Sequence, residues 1–341
     1  MSIEFLTFWA IGIYYLSVVL YVCLDGFGIG LGCLHIFARN DDEKRVFLNA
    51  VGPVWDGNAV WIVITTGILL AAFTKVFTSL LSGFYLPIMG IIFGFMIRSA
   101  AIEFRSKNDS KVWRHTWDFV FWIASLLLAL DFGIILGHTI QGVPIDATGV
   151  IAPHSFRFFS IYPLIVGFFS LFLFSVHGGM YALNKTEGAL AKYVKRIVLA
   201  LYPLLIISWI ILTIATFTQH IHMLDIFTMY PAMFSLIFVA TATLLGLPYL
   251  VLKKRFTAAF FVSCLLIFSF VTIYASGMYP YFAVSSLDKA FSLSIFNCAN
   301  SYLSLFVVFV VSVCGIPLSF FYFSYVYKVF RGVVKINQTS Y

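Results

Sequence analysis

Long apolar segments are the feature of this sequence that most constrains its fold. Several of them run for about 20 residues or more, the length that an α-helix needs to cross about 30 Å of hydrocarbon. Hydrophobic residues make up 62% of the 341 positions and charged residues only 10%, so a water-soluble domain of this composition would expose very large apolar patches. The segments also lack the two-residue alternation of membrane strands. The sequence therefore predicts an all-α, polytopic membrane protein built as a helical bundle.

The apolar segments and the polar breaks between them predict nine transmembrane helices. We place these helices at residues 8–37, 54–74, 79–102, 116–138, 159–183, 196–216, 229–252, 256–277 and 302–330. No internal repeat and no soluble domain is evident, so residues 1–341 are expected to form a single integral membrane domain.

Basic residues are distributed unevenly among the connections between these helices. All but four of the 21 Lys and Arg residues lie in alternate connections; the exceptions are Lys75, Arg157 and Lys289 on the other side and Arg98 within the third helix. Cytoplasmic connections of membrane proteins carry such an excess of positive charge. We therefore expect the N-terminus outside and the C-terminus in the cytoplasm. Since this bias accounts for the formal net charge of +7, we expect no nucleic-acid partner.

Ionisable residues inside the predicted helices give the strongest functional signal, because a charged group at bilayer depth needs a partner, water or a role. Asp25 lies in the first helix, Asp56 and Asn58 lie near the start of the second in GPVWDGNAVW, and Arg98 and Glu103 lie near the end of the third. Helices joined by short loops tend to be neighbours. We therefore expect these groups to share one polar pocket that opens to the cytoplasm.

Two interpretations of this pocket stay open. In the first, Arg98 pairs with Asp25, Asp56 or Glu103 and merely locks three helices together. In the second, the carboxylates accept and release protons, because burial raises a carboxyl pKa and a nearby cation restrains that rise. Trp55 would then either anchor the helix at the membrane interface or build a wall of the pocket.

Other patterns point to packing rather than to cofactors. Gly26, Gly28, Gly30 and Gly32 allow close approach by another helix or by a flat ligand, of which helix packing is the commoner. The five cysteines show no metal-ligand spacing. A bis-histidine haem needs two imidazoles at matching depth. His138 is predicted near the outer end of its helix, however, and His177 nearer the cytoplasmic end of its own. We therefore expect this chain to ligate no metal and no haem.

A series of motifs resembles subunit II of the cytochrome bd family of quinol oxidases. Through about the first 145 residues these motifs are LDGFGIGLG, RNDDEKR, GPVWDGNAVWIVITTG, SGFYLPIMG, IRSAAIEFRSK and QGVP. Weaker matches follow in HGGMY, MYPYFAVSS and FNCANS. The specific parts are WDGN and the intramembrane arginine that is followed by an acid and RSK.

The resemblance implies a complex in the bacterial cytoplasmic (inner) membrane that oxidises quinol and reduces oxygen to water with protons from the cytoplasm. It implies that haems b and d belong to the partner, subunit I. It also implies a proton route that passes the aspartate of WDGN, here Asp56. Together with the polar residues identified above, the expected proton pathway comprises Asp56, Asp25, Asn58 and Glu103, with Arg98 and Trp55 as charge or structural partners.

The sequence also departs from the family pattern. Gly28 stands where many relatives carry a second acid, and Phe296 and Asn297 stand where relatives often have a tryptophan and an aspartate. Some relatives hold a structural quinone in this subunit, and the resemblance does not decide whether this chain holds one. It also does not decide whether a small single-helix subunit is present. Contacts with membrane lipid and with quinone are expected.

Two functions from other classes are the alternatives. A proton-coupled secondary transporter would show broken helices in two symmetric halves, which the sequence does not reveal. A purely structural membrane partner would use its acids only to hold another chain.

Overall fold

A computed structural model of the chain describes residues 1–152 and 159–335, so Arg157, one of the predicted outer charges, lies outside the described residues. Within these ranges, nine helices are long and apolar enough to cross a membrane. The prediction of an all-α bundle with nine spans is therefore confirmed.

The helices and the two short strands have the following bounds. They are α1 Ile3–Leu24, α2 Gly26–Leu34, α3 Asp41–Val51, α4 Trp55–Ala72, α5 Thr74–Gly83, α6 Tyr85–Phe104, α7 Lys111–Gln141, α8 Ile161–Lys185, α9 Gly188–Gln219, α10 Asp225–Met229, α11 Phe234–Leu252, α12 Phe256–Met278, β1 Tyr281–Ala283, β2 Leu293–Ser294 and α13 Tyr302–Val329. The first span, Ile3–Phe37, contains α1 and α2, which meet at Asp25.

The structure departs from the sequence prediction at α3 and at α5 and α6. Residues 41–51 form α3, where the sequence indicated a polar connection. The Asn40 side chain caps α3 by accepting a hydrogen bond from the Glu43 N–H at 2.9 Å, and acids in the first turn suit the positive end of the helix dipole. The predicted third helix, 79–102, is divided between α5 and α6, because the chain leaves helical geometry at Phe84.

The basic connections lie together at one end of the bundle, which we call the basic end. Basic side chains of one connection contact the ends of helices that flank a different basic connection. These contacts are Lys44 Nζ to Asp118 Oδ2 (3.0 Å), the Arg39 guanidinium over the Tyr193 ring (4.2 Å to its centre), Lys195 Nζ to the Leu252 carbonyl (3.4 Å) and the Lys185 ammonium to the Phe330 carbonyl. The basic connections that alternate along the sequence thus meet at the basic end of the folded chain.

Helix α8 lies at the centre and packs against α2, α7, α9 and α12. Its crossing with α2 is very close, because a Cβ atom on Gly30 would come within 1.7 Å of the Phe174 carbonyl oxygen. A Cβ on Gly178 would come within 2.4 Å of the Leu31 nitrogen. Gly30 of the first span therefore serves close helix packing, as the sequence predicted.

Candidate functional site

A buried ion pair lies where α1 meets α2. Arg98 of α6 donates from Nη1 to Asp25 Oδ2 at 3.1 Å and from Nη2 to Asp25 Oδ1 at 3.0 Å. The Tyr21 hydroxyl, one turn before Asp25, donates to Oδ2 at 3.1 Å. Asp25 is 0% exposed and Arg98 is 2% exposed. This two-pronged arginine–carboxylate geometry is the strong form of a charged hydrogen bond.

Gly28 makes room for the guanidinium. A Cβ atom at this position would lie 2.5 Å from Arg98 Nη2 and 3.1 Å from Val51 Cγ1. The arginine therefore occupies the space that a side chain at position 28 would need. In this chain Asp25 is the carboxylate that neutralises Arg98.

Asn58 joins this site to the last helix. Its Nδ2 donates to the Leu24 carbonyl at 2.6 Å, and its Oδ1 accepts from the Tyr327 hydroxyl of α13 at 2.8 Å. Leu24 immediately precedes Asp25, so the amide is anchored at the boundary between α1 and α2. Among the residues expected to share one pocket, the structure thus brings Asp25, Arg98 and Asn58 together.

Asp56 and Glu103 lie outside this cluster. Asp56 is exposed in the first turn of α4, and Glu103 is half-buried at the end of α6. Within residues 1–152 and 159–335, no hydrogen bond or ion pair joins either of them to Asp25 or Arg98. For Asp56 the reason is geometric: helical residues advance by about 100° each, so Asp56 and Asn58 point to nearly opposite sides of α4. Trp55 is half-buried and packs against the main apolar core.

Two buried donors, one on Arg98 and one on Trp61, have no hydrogen-bond partner in the part of the chain that the structure describes. They are Nε of Arg98 and Nε1 of Trp61, which lies one turn along α4 from Asn58. An unsatisfied buried donor costs about 1–3 kcal/mol, and buried water commonly satisfies such groups.

A second charge cluster, centred on Asp118 at the basic end, was missed from the sequence. Asp118 Oδ1 lies 2.7 Å from His35 Nε2 and accepts from Arg105 Nε at 2.8 Å, while Oδ2 accepts from Lys44 Nζ at 3.0 Å. Arg105 also donates to Asp41 at 2.7 Å. The cluster ties α2, α3, α6 and α7 together. The sequence feature that could have indicated this cluster is Asp118 itself, an acid near the start of a long apolar helix.

The histidines that raised the question of haem serve other contacts. His177 is buried, with Nδ1 2.8 Å from Ser263 Oγ and Nε2 2.9 Å from the Cys23 carbonyl oxygen. His138 is buried beside the ring of Phe84. Among the described residues, no group of three or more His, Cys, Asp or Glu side chains is placed to hold a metal ion.

Comparisons with known proteins agree with the motifs. The family model described as cytochrome bd terminal oxidase subunit II matches residues 6–330. The chain is 28% identical over 321 residues to cytochrome bd ubiquinol oxidase subunit 2 of Bacillus subtilis (strain 168), covering 92% of this chain and 93% of that protein.

Two further comparisons cover sequence and fold. The chain is 32% identical over 171 residues to cytochrome bd-I ubiquinol oxidase subunit 2 of Escherichia coli (strain K12), covering 49% of this chain and 45% of that protein. A chain in the structure of bd oxidase from Geobacillus thermodenitrificans shares the fold, with a TM-score of 0.76, 16% identity and coverage of 95% of this chain and 98% of that one.

Proposed function

Since this chain belongs to the cytochrome bd terminal oxidase subunit II family, we propose that it supports a haem-bearing subunit I and supplies the complex with protons from the cytoplasm. Haems b and d are assigned to subunit I, which oxidises quinol and reduces oxygen to water. The observation that carries the proton proposal is the buried Asp25–Arg98 pair, beside which Asn58 bonds both the Leu24 carbonyl and Tyr327 in the last turn of α13.

The basic end is proposed to face the cytoplasm of a bacterial inner membrane. It gathers the basic connections of the chain, and positive charge is retained on the cytoplasmic side of membrane proteins. Asp56 lies in the first turn of α4 at this end, where the helix dipole stabilises a negative charge. A proton acceptor at this place has direct access to the side from which the protons are taken.

The exposed face of α4 supports a contact with subunit I. Asp56, Val60, Val63 and Leu70 recur at helical spacing along this face, and Val63 is 66% exposed. A carboxylate that faces lipid within a span is costly, so a partner subunit is the better neighbour for Asp56. We assign Asp56 to proton transfer at this contact, and Glu103, Asn58 and Asp25 to the route and its surroundings, with Arg98 as the fixed countercharge and Trp55 as wall.

Purification tests the assignment to an oxidase. A complex isolated through an affinity tag on this chain should contain a second large membrane polypeptide, show b- and d-type haem absorption and consume oxygen with quinol as donor. The same preparation, analysed for extractable quinone and small polypeptides, tests the structural quinone and the third subunit. A chain that purifies alone, without haem or oxidase activity, would contradict the proposal and favour a proton-coupled transporter.

Replacement of Asp56 tests its own role. We expect Asp56→Asn to assemble with normal haem content and to lose oxygen reduction by at least about tenfold, because proton transfer by a positioned group contributes a factor of about 100 or more. Asp42→Asn, which changes an exposed acid in the first turn of α3 at the same end, is the matched control and should keep its activity. Normal turnover of an intact Asp56→Asn complex would reject the assignment and leave a structural role.

A further inference from the structure

Tyr327 of α13, a helix that packs against α4, holds the amide of Asn58. Its hydroxyl donates to Asn58 Oδ1 at 2.8 Å across 269 positions of sequence. Tyr327 is half-buried in the last turn of α13 at the basic end, and its ring makes an edge contact with Phe27 of α2 at 6.4 Å between ring centres. Tyr327 therefore contacts the buried Asn58 and lies at the basic end, from which protons would enter.

The two hydrogen bonds of Asn58 fix the orientation of its side chain. Nδ2 must donate and Oδ1 must accept, so a flipped amide would place its oxygen against the Leu24 carbonyl and its NH₂ group at Tyr327. Asn58 is 1% exposed, which leaves little water to replace a lost bond. The Tyr327 hydroxyl thus determines how Asn58 meets the backbone next to Asp25.

We propose that Tyr327 is a positioning residue of the proton route, and that through Asn58 it keeps the boundary between α1 and α2 in the geometry that admits protons to the Asp25–Arg98 site. The inference rests on the proposed function of the chain. Neither Tyr327 nor Asn58 needs to carry a proton itself. Their effect is to hold the Leu24 carbonyl, and with it the backbone that presents the Asp25 carboxylate.

Tyr327→Phe removes one hydroxyl and retains the ring that packs on Phe27. We expect quinol-driven oxygen reduction to fall about fivefold, the loss that corresponds to one net hydrogen bond. We also expect a larger ratio of the rates in H₂O and D₂O, because proton delivery then limits turnover more strongly. Tyr325→Phe is the matched control, since Tyr325 lies on the same turn of α13 and is 69% exposed; it should change neither quantity.

A double-mutant cycle shows whether Tyr327 acts through Asn58. Asn58→Leu removes both hydrogen bonds at similar volume, so the double variant should be no slower than Asn58→Leu alone. A double variant slowed by the full product of the two single effects would overturn the proposal. If Asn58→Leu does not assemble, the solvent isotope ratio of Tyr327→Phe decides, and a ratio equal to that of Tyr325→Phe overturns the proposal.

Failure of this inference is distinguishable from failure of the proposed function. An active haem-containing complex in which Tyr327→Phe and Tyr325→Phe behave alike overturns only the role of Tyr327. A wild-type preparation without quinol-driven oxygen reduction overturns the proposed function and the inference together.

Discussion

Replacement of Asp25 by asparagine should strongly destabilise the chain, because it leaves the Arg98 guanidinium buried without its counterion. Asparagine has nearly the same shape as aspartate, but it is neutral and offers one acceptor oxygen to the three hydrogen bonds that Arg98 and Tyr21 donate. Removal of one partner from a buried ion pair costs about 3–5 kcal/mol. At roughly 2 °C per kcal/mol for a chain of this size, the midpoint of thermal unfolding should fall by about 6–10 °C.

The double variant Asp25→Asn/Arg98→Gln provides the control. It removes both charges, and neutral replacement of a buried ion pair is often much less costly than loss of one partner. Thermal unfolding of the purified complex, followed by intrinsic fluorescence and by loss of the haem spectrum, should therefore place the double variant well above Asp25→Asn. The reasoning is refuted if Asp25→Asn unfolds at the wild-type temperature, or if the effects of the two single changes simply add.

Three further predictions concern packing, the second charge cluster and pH. Gly30→Ala should prevent assembly, because its Cβ would lie 1.7 Å from the Phe174 carbonyl oxygen, whereas Gly12→Ala, with nothing within 4 Å of its Cβ, should assemble normally on size-exclusion chromatography. Asp118→Asn should lower the thermal midpoint by a similar amount to Asp25→Asn, since it leaves the buried Arg105 poorly compensated; an unchanged midpoint would contradict the importance of this cluster. Burial lowers the pKa of His220, so the unfolded chain binds more protons below about pH 6.5; stability should decline from pH 7 to pH 5, and this decline should be smaller in His220→Gln.

The spans of this fold follow directly from the sequence, because helix length and hydropathy are matched to the thickness of the bilayer. The surface helix α3 does not follow in this way. Its first turn contains the acids of RNDDEKR, and a short amphipathic helix that begins with charges resembles a polar connection. Its apolar residues Phe47, Leu48 and Val51 are buried against the bundle. Tertiary packing therefore stabilises a helix that the local hydropathy does not predict.

The site was predictable in part. An intramembrane arginine and an acid on neighbouring helices indicated the Asp25–Arg98 pair, although the sequence left the choice of acid open. The separation of Asp56 from Asn58 follows from helical geometry and could have been inferred from their spacing of two residues. Tyr327 carries no such signal, because its contact with Asn58 spans most of the chain and depends on the docking of α13.

The side from which protons are taken tests the central claim most directly. Vesicles that contain the purified complex in one known orientation can be supplied with quinol and oxygen while pH-sensitive dyes report on the two aqueous compartments. Protons for water should disappear from the compartment that faces the basic end, and in Asp56→Asn this uptake should fall at least about tenfold together with oxygen reduction. Uptake from the opposite compartment, or unchanged uptake in an intact Asp56→Asn complex, would contradict the account.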